Sequence, residues 1–449
     1  MKKTIKNIRV GYLYLLGEAS INVLEINRYF SSLLSRYIYV KIIPISNAEE
    51  LTKVLKEIKK QRLDFLYIDT FNFLEVSFLL RERLQLDTPL IFTIHAVYNW
   101  ENRYTYIIPL IRKYDIIISP SQYAKKSFLK ISDKFRIEVV PLCLDTTYIQ
   151  KNISHNFDNE KKIITFMGRL VEEKGVLTLI KCMPEIVAEV DNAYLNIIGP
   201  LSGQGLKDYP KSLYVKGAEE EIARLKLTER INFKGARVGL EKYQILSESS
   251  LFINPTTAPG ETFSIVNLEA LACGVPVITT KWGANQELIN NGKNGYLVDV
   301  NYDKDKKPEI NTKQLISLVV KILGDRTLNH KLRRNAQRYA RRYDYQVVIP
   351  RFIGLLKRKE RIKIKNNWNI IKDKKVEDFN HLFNRDFLFF LHYFIPLRNK
   401  TYSSLYEKCL KEGSLDSEYF SSNMQGKSVR DRRIWSKMRR SYTDFITKI

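Results

Sequence analysis

The sequence has few cysteines, few histidines and no long apolar run. Its four cysteines, Cys143, Cys182, Cys273 and Cys409, lie far apart, and none belongs to a CxxC or a Cys/His cluster of zinc-ligand spacing. That excludes a zinc finger or ribbon and fits a reducing compartment. No window holds the roughly 18 apolar residues needed to cross a bilayer; the strongest, 386–397, carries Asp386, His392 and Pro396. The first residues imitate a secretion signal, with lysines ahead of Val10–Leu16, but the run is short and Glu18 follows, so it reads as a first buried strand. There is no GxGxxG after that strand and no GxxxxGK(S/T) anywhere, so a dinucleotide oxidoreductase or a P-loop enzyme would lack its phosphate cradle. Internal repeats are absent, and the one biased tract is the lysine-rich DKDKKPE at 303–309.

What is present is ordinary globular material in quantity. The 449 residues exceed a single domain and suit two domains with an appendage. A composition of 44% hydrophobic, 27% charged and 12% aromatic residues excludes intrinsic disorder and can fill two cores. The formal charge is +25, which calls for an anionic partner, and +12 of it lies in residues 351–449. Apolar runs of strand length (IRVGYLYLL, YVKIIPI, FLYI, PLIFTIH, DIIISPS) alternate with segments of helical period. The Asn-rich stretch at 150–162 interrupts this rhythm, which resumes with KIITFMGRL, AYLNIIG, RINFKG, SLFINP, VPVITT and GYLVDV. The expected fold is therefore α/β: two doubly wound Rossmann-like domains facing a cleft, over 1–155 and 156–345, with a basic helical extension over 346–449. The arginine-rich segment at 328–345 has a helical period and could run back toward the first domain.

Two segments carry chemistry. In INPTTAPGETFSIVNLEALACGVPVITT, Pro259 and Gly260 make a turn, a helix is expected from about Thr262 to Cys273, and Gly274 with Pro276 ends it. Glu261 then sits at the helix entrance and Glu269 about 12 Å along the axis, while the amides of Thr262, Phe263 and Ser264 favour an anion. The competing reading is an amphipathic helix with solvated carboxylates. In ITFMGRLVEEKGVLTLIKCM, Gly168 and Arg169 end a strand and Lys174 with Gly175 opens the next helix, so a guanidinium fork and an ammonium could face a diphosphate. They could equally pair with Glu172 and Glu173 on the surface.

FMGRLVEEKG followed by PGETFSIVNLEALACGVPVI resembles the signature of the retaining GT-B glycosyltransferases of family 4 (glycosyl transferases group 1), with two glutamates separated by seven residues. ISPSQYAKKSF, VVPLCLDTTYI, LNIIG, RINFKGA and NGKNGYLV support the resemblance, which covers about residues 8–350. It implies a hexosyltransferase-type enzyme that moves a sugar from a nucleoside-diphosphate donor to a glycan, glycolipid or lipid-linked acceptor. By that resemblance Arg169 and Lys174 bind the diphosphate, Glu269 accepts hydrogen bonds from the ribose, and Glu261 lies beside the transferred sugar. The amides of Thr262, Phe263 and Ser264 complete that pocket, and Arg237 lies where the family forms its nucleobase pocket. His95 matches a histidine facing the sugar, and Gly17 stands where the family has a diglycine loop. Asp69 and Asn72 occupy the region of a second family histidine.

The resemblance implies retention of anomeric configuration, and no residue stands out as a covalent nucleophile. Arg169, Lys174 and a helix N-terminus would stabilise the leaving diphosphate without a metal or other cofactor, and Asp303-Lys-Asp305 reads as a solvated loop. A sugar-nucleotide-binding protein without efficient turnover is the competing function. No specific nucleic-acid motif is present, although a basic surplus alone gives salt-sensitive retention on DNA. In 429–442, helical spacing puts Ile434, Trp435, Met438 and Tyr442 on one stripe among basic residues. That stripe suits either an anionic membrane surface or packing onto the enzyme, and the first reading makes the protein a cytoplasmic, peripheral enzyme of polysaccharide or cell-envelope synthesis.

Overall fold

The computed structural model describes residues 8–15, 29–45, 60–68, 88–94, 114–129, 136–154, 160–201 and 212–357, with a few single positions between them. Two six-stranded parallel sheets form its frame. The first contains β1 (Arg9–Leu15), β2 (Tyr39–Ile45), β3 (Phe65–Ile68), β4 (Leu90–Thr93), β5 (Ile116–Ser119) and β6 (Ile137–Val139), in the order β2-β1-β3-β4-β5-β6. The second contains β7 (Lys162–Met167), β8 (Ala193–Ile198), β9 (Ile231–Gly235), β10 (Leu251–Asn254), β11 (Val277–Thr280) and β12 (Gly295–Val298), in the order β12-β11-β10-β7-β8-β9. A small antiparallel hairpin, β13 (Val300–Tyr302) with β14 (Pro308–Ile310), follows β12.

Burial explains why these runs are strands. FLYI, LIFT, IIIS, LFIN and VITT are buried at every position, as expected when helices cover both faces of a parallel sheet. Helix Val176–Glu189 buries Val176, Leu179, Ile180, Met183 and Ile186, a stripe of helical period, on the second sheet. The opposite face of that sheet is covered by helices Ile265–Ala272 and Arg326–Ala340, together with Leu144, Ile149 and Ile153 from the link between the sheets.

The chain crosses between the sheets twice, and the crossings lie side by side. The Leu144 amide donates to the Tyr343 carbonyl (3.1 Å) and the Tyr345 amide donates to the Leu144 carbonyl (2.9 Å). The Thr146 amide and hydroxyl both donate to Asp344, which also caps helix Tyr345–Leu356. That last helix buries Val348, Ile349, Phe352, Ile353 and Leu356 in the core of the first sheet, with Phe352 against Phe30 and Tyr67. Residues 346–356, assigned from sequence to the basic extension, therefore belong to the first domain. Their apolar spacing is that of a core helix, and it hides among the basic residues that follow.

In each sheet the strand order reverses once, between β1 and β3 and between β7 and β10. Such switch points open a crevice beyond the carboxyl ends of the strands. The carboxyl edges of the two sheets meet. Glu287, just beyond β11, accepts hydrogen bonds from the amides of Gln122 (2.9 Å) and Tyr123 (2.6 Å) at the start of helix Gln122–Leu129, just beyond β5.

Candidate active site

The second sheet's switch point gathers most of the candidate residues. β7 ends at Met167, and the chain continues through Gly168, Arg169 and a short 3₁₀ turn, Glu172–Lys174. β10 ends at Asn254, and the loop from Pro255 leads to Glu261 and helix Ile265–Ala272. Gly175 joins the two segments. It has φ 72°, and a Cβ there would lie 2.3 Å from the Pro255 carbonyl oxygen, so only glycine lets the turn press against the loop. The Glu173 carbonyl accepts from the Thr257 amide (2.9 Å), which fixes the contact.

The consequence is an ion pair. Lys174 Nζ donates to Glu261 Oε2 at 2.8 Å, and the Thr256 hydroxyl donates to the same oxygen at 3.3 Å. Burial pushes the Glu261 carboxyl up, but Lys174 and the hydroxyls of Ser264 and Thr256 outweigh it and hold the group below its ordinary value. Glu261 is therefore a buried anion with a cation attached. Its backbone is fastened as well: its carbonyl accepts from the Ala284 amide (3.1 Å), and its amide donates to the Ala258 carbonyl (3.1 Å), which also accepts from the Trp282 indole (2.9 Å).

The helix after Glu261 starts later than its sequence predicts. It spans Ile265–Ala272, and Ser264 stands before it in the left-handed region, φ 62°. A buried side-chain network holds this strained residue. Ser264 Oγ donates to Asn285 Oδ1 (2.6 Å), Asn267 donates to the same oxygen (3.0 Å), and Asn254 donates to Asn267 (3.0 Å). A non-glycine residue at positive φ costs about 1–3 kcal/mol. Glu261 thus lies outside the helix, in the turn before it, and the two glutamates do not share one helical axis. Thr262 and Phe263 are buried in that turn, with the Phe263 ring against Tyr343 (5.9 Å).

Glu269 is buried midway along the helix, and it also holds a lysine. Lys242 Nζ lies 2.7 Å from Glu269 Oε1, with both side chains less than a tenth exposed, and the Tyr243 hydroxyl donates to the same oxygen at 3.4 Å. Sequence reasoning missed Lys242. The available signal was its position on helix Gly239–Ser247, where it shares the buried stripe with Leu246 and Ser247 instead of facing solvent.

The remaining candidates are more dispersed. Arg169 pairs with Glu173 at 2.6 Å, an exposed pair of the kind that is worth little in water and releases easily. Arg237 follows β9, the outermost strand of the sheet, where it pairs with Glu241 at 2.8 Å. Asp303 closes its own loop by accepting from the amides of Asp305 and Lys307. His95, Gly17, Asp69, Asn72 and the amphipathic stripe of 429–442 lie outside the described residues. Among the described residues no helix is long and apolar enough to cross a membrane.

Two parallel sheets with facing switch points, and a lysine-bound carboxylate beside a helix N-terminus, define the GT-B class of architecture. Comparison with known proteins agrees. The family model for glycosyl transferases group 1 matches residues 149–342, and that for glycosyltransferase family 4 matches 34–148. The chain belongs to this family of glycosyltransferases. It is 25% identical over 330 residues to a sucrose synthase of Melioribacter roseus, covering 70% of this chain and 39% of that protein. It is 30% identical over 140 residues to spore coat protein SA of Bacillus subtilis, covering 31% of this chain and 35% of that protein. These matches span little more than a third of the relatives' own lengths. Among solved structures, a sucrose-phosphate synthase of Thermosynechococcus elongatus superposes with a TM-score of 0.62 at 14% identity, over 78% of this chain and 98% of that one. HepE of Anabaena, solved with UDP and glucose, gives 0.59 at 20% identity, over 78% and 99%.

Proposed function

We propose that this protein transfers a sugar from a nucleoside-diphosphate donor to a glycan or lipid-linked acceptor, with retention and without a metal. The observation that carries the reading is the Lys174–Glu261 pair at the β7/β10 switch point, one turn from a strained helix N-terminus. Cleaving the bond between the anomeric carbon and the diphosphate builds negative charge on the leaving oxygen. Lys174 supplies a preorganised positive charge for it, and Arg169 supplies a fork once it leaves Glu173. The first amides of helix Ile265–Ala272 add a partial positive charge at its mouth. Glu261, held ionised by Lys174, keeps the ammonium in place and accepts a sugar hydroxyl. Glu269 receives the ribose, and Arg237 borders the base.

HepE of Anabaena is described as a complex with UDP-glucose, and its shared fold supports a nucleotide in the same crevice. The relatives named as a capsular polysaccharide biosynthesis glycosyltransferase and a phosphatidyl-myo-inositol mannosyltransferase support an envelope or polysaccharide acceptor. His95 and Gly17 would then serve the transferred sugar and the diphosphate from the first domain. The basic surplus of residues 351–449 would bring the enzyme to the anionic inner face of a membrane. A thermal-shift screen of UDP-, GDP- and ADP-sugars tests the reading, because a bound donor raises the melting temperature by mass action. Product anomeric configuration by NMR, and turnover in EDTA, test retention and metal independence. If no nucleotide sugar shifts the melting temperature or is consumed, the reading fails.

A further inference from the structure

Glu269 is one of two buried glutamates in the candidate site, and its partner comes from a different element. Helix Gly239–Ser247 packs against helix Ile265–Ala272, and Lys242 projects from the first onto Glu269 of the second. Charges this deeply buried persist only when paired. The contacts from Lys242 and Tyr243 both fall on Oε1. The helix that carries them is tied down at its far end, where Gln244 and Ser247 bond to Ser154 in the link between the sheets.

We propose that Lys242 is the positioning residue for ribose recognition. It pins one oxygen of Glu269, so that the sister oxygen meets the vicinal hydroxyls of the donor's nucleoside. This rests on the glycosyltransferase reading given above and extends it to a residue that the family signature does not contain. The chemistry predicts selectivity at the ribose and not at the diphosphate. A carboxylate fixed by a buried cation accepts hydroxyl hydrogens at defined positions, whereas one freed from it rotates away from them. The diphosphate is held by Arg169 and Lys174, on other segments, and does not depend on Lys242.

The test uses the full chain and calorimetric binding of whichever of UDP, GDP and ADP the wild type binds most tightly. Its 2′,3′-dideoxy counterpart and inorganic pyrophosphate are measured beside it. In the wild type, removing the two hydroxyls should weaken binding at least tenfold. In Lys242→Gln the intact nucleotide should lose about that factor, the dideoxy compound should bind as it does to the wild type, and pyrophosphate should change less than twofold. Lys242→Arg, which restores a cation, should recover most of the loss, and if the Gln variant does not fold, Lys242→Met, which keeps an apolar stem of similar length and no charge, carries the test with the same expected ratio. A wild-type intact-to-dideoxy ratio in the uncharged variant, or equal loss for nucleotide and pyrophosphate, overturns the assignment of Lys242 and leaves the glycosyltransferase reading standing. A wild type that binds no nucleoside diphosphate overturns both.

Discussion

An ammonium bonded to a buried carboxylate stands ready for a second anion, and Lys174 has that arrangement with Glu261. Its side chain is about a fifth exposed, so a ligand entering the crevice reaches it without unfolding anything. Lys174→Ala should lower turnover by on the order of 10²-fold or more, the usual effect of losing one preorganised charge partner, as measured by donor consumption. Glu261 gives a pH signature. Its folded pKa is depressed, so its contribution to stability is complete above about pH 4.3, the ordinary value for a glutamate, and is lost as pH falls through the lower folded value. Melting curves of wild type and Glu261→Gln should separate above that window, with the wild type more stable, and converge below it. The two motifs that meet here are 87 residues apart in sequence; spacing left each open to a surface reading, and it was the family resemblance that singled out both residues. Lys242 was not, because nothing local marks a lysine whose partner arrives through packing of two helices. Arg169 was legible as one of two alternatives, and the structure shows its exposed pairing with Glu173 four residues on.

At the scale of elements, the site depends on how a turn and a helix start are held. Gly175→Ala would place a methyl group against the Pro255 carbonyl in a backbone conformation unfavourable to alanine. The expected loss is on the order of 2 kcal/mol, accompanied by reduced turnover because Lys174 shifts with the turn. Chemical denaturation and donor consumption measure the two effects. The start of helix Ile265–Ala272 was misread by about three residues for a physical reason. The sequence Glu-Thr-Phe-Ser is compatible with a helical first turn, and only the buried Asn254, Asn267 and Asn285 network fixes Ser264 in the left-handed region. Parallel strands were the easiest elements to read, because burial on both faces leaves uninterrupted apolar runs such as IIIS and LFIN. Helix Tyr345–Leu356 was harder. Phe352→Ala should cost about 3–5 kcal/mol, as large core truncations do, and should melt the first domain, where its ring packs.

Across the whole molecule, the two sheets communicate through Glu287 and through the paired crossings. Helix Asn285–Leu288 carries both Asn285, which holds Ser264, and Glu287, which caps a helix of the first domain. Glu287→Ala should loosen the junction, enlarging the radius of gyration in small-angle scattering and raising the KM for donor. Where the chain is cut also matters. A protein ending after residue 357 should remain folded and, if the basic segment binds membranes, should lose co-sedimentation with anionic vesicles; one ending after 344 should not fold its first domain.

The paired crossings make the second domain an insertion within the first, since strands from residue 9 onward share a core with a helix that ends at 356. During synthesis, the amino-terminal sheet emerges early yet stays without its closing helix until the whole middle of the polypeptide has been made. Its apolar face is exposed through that interval, so chaperone dependence and aggregation on the ribosome should track the speed with which the inserted half folds.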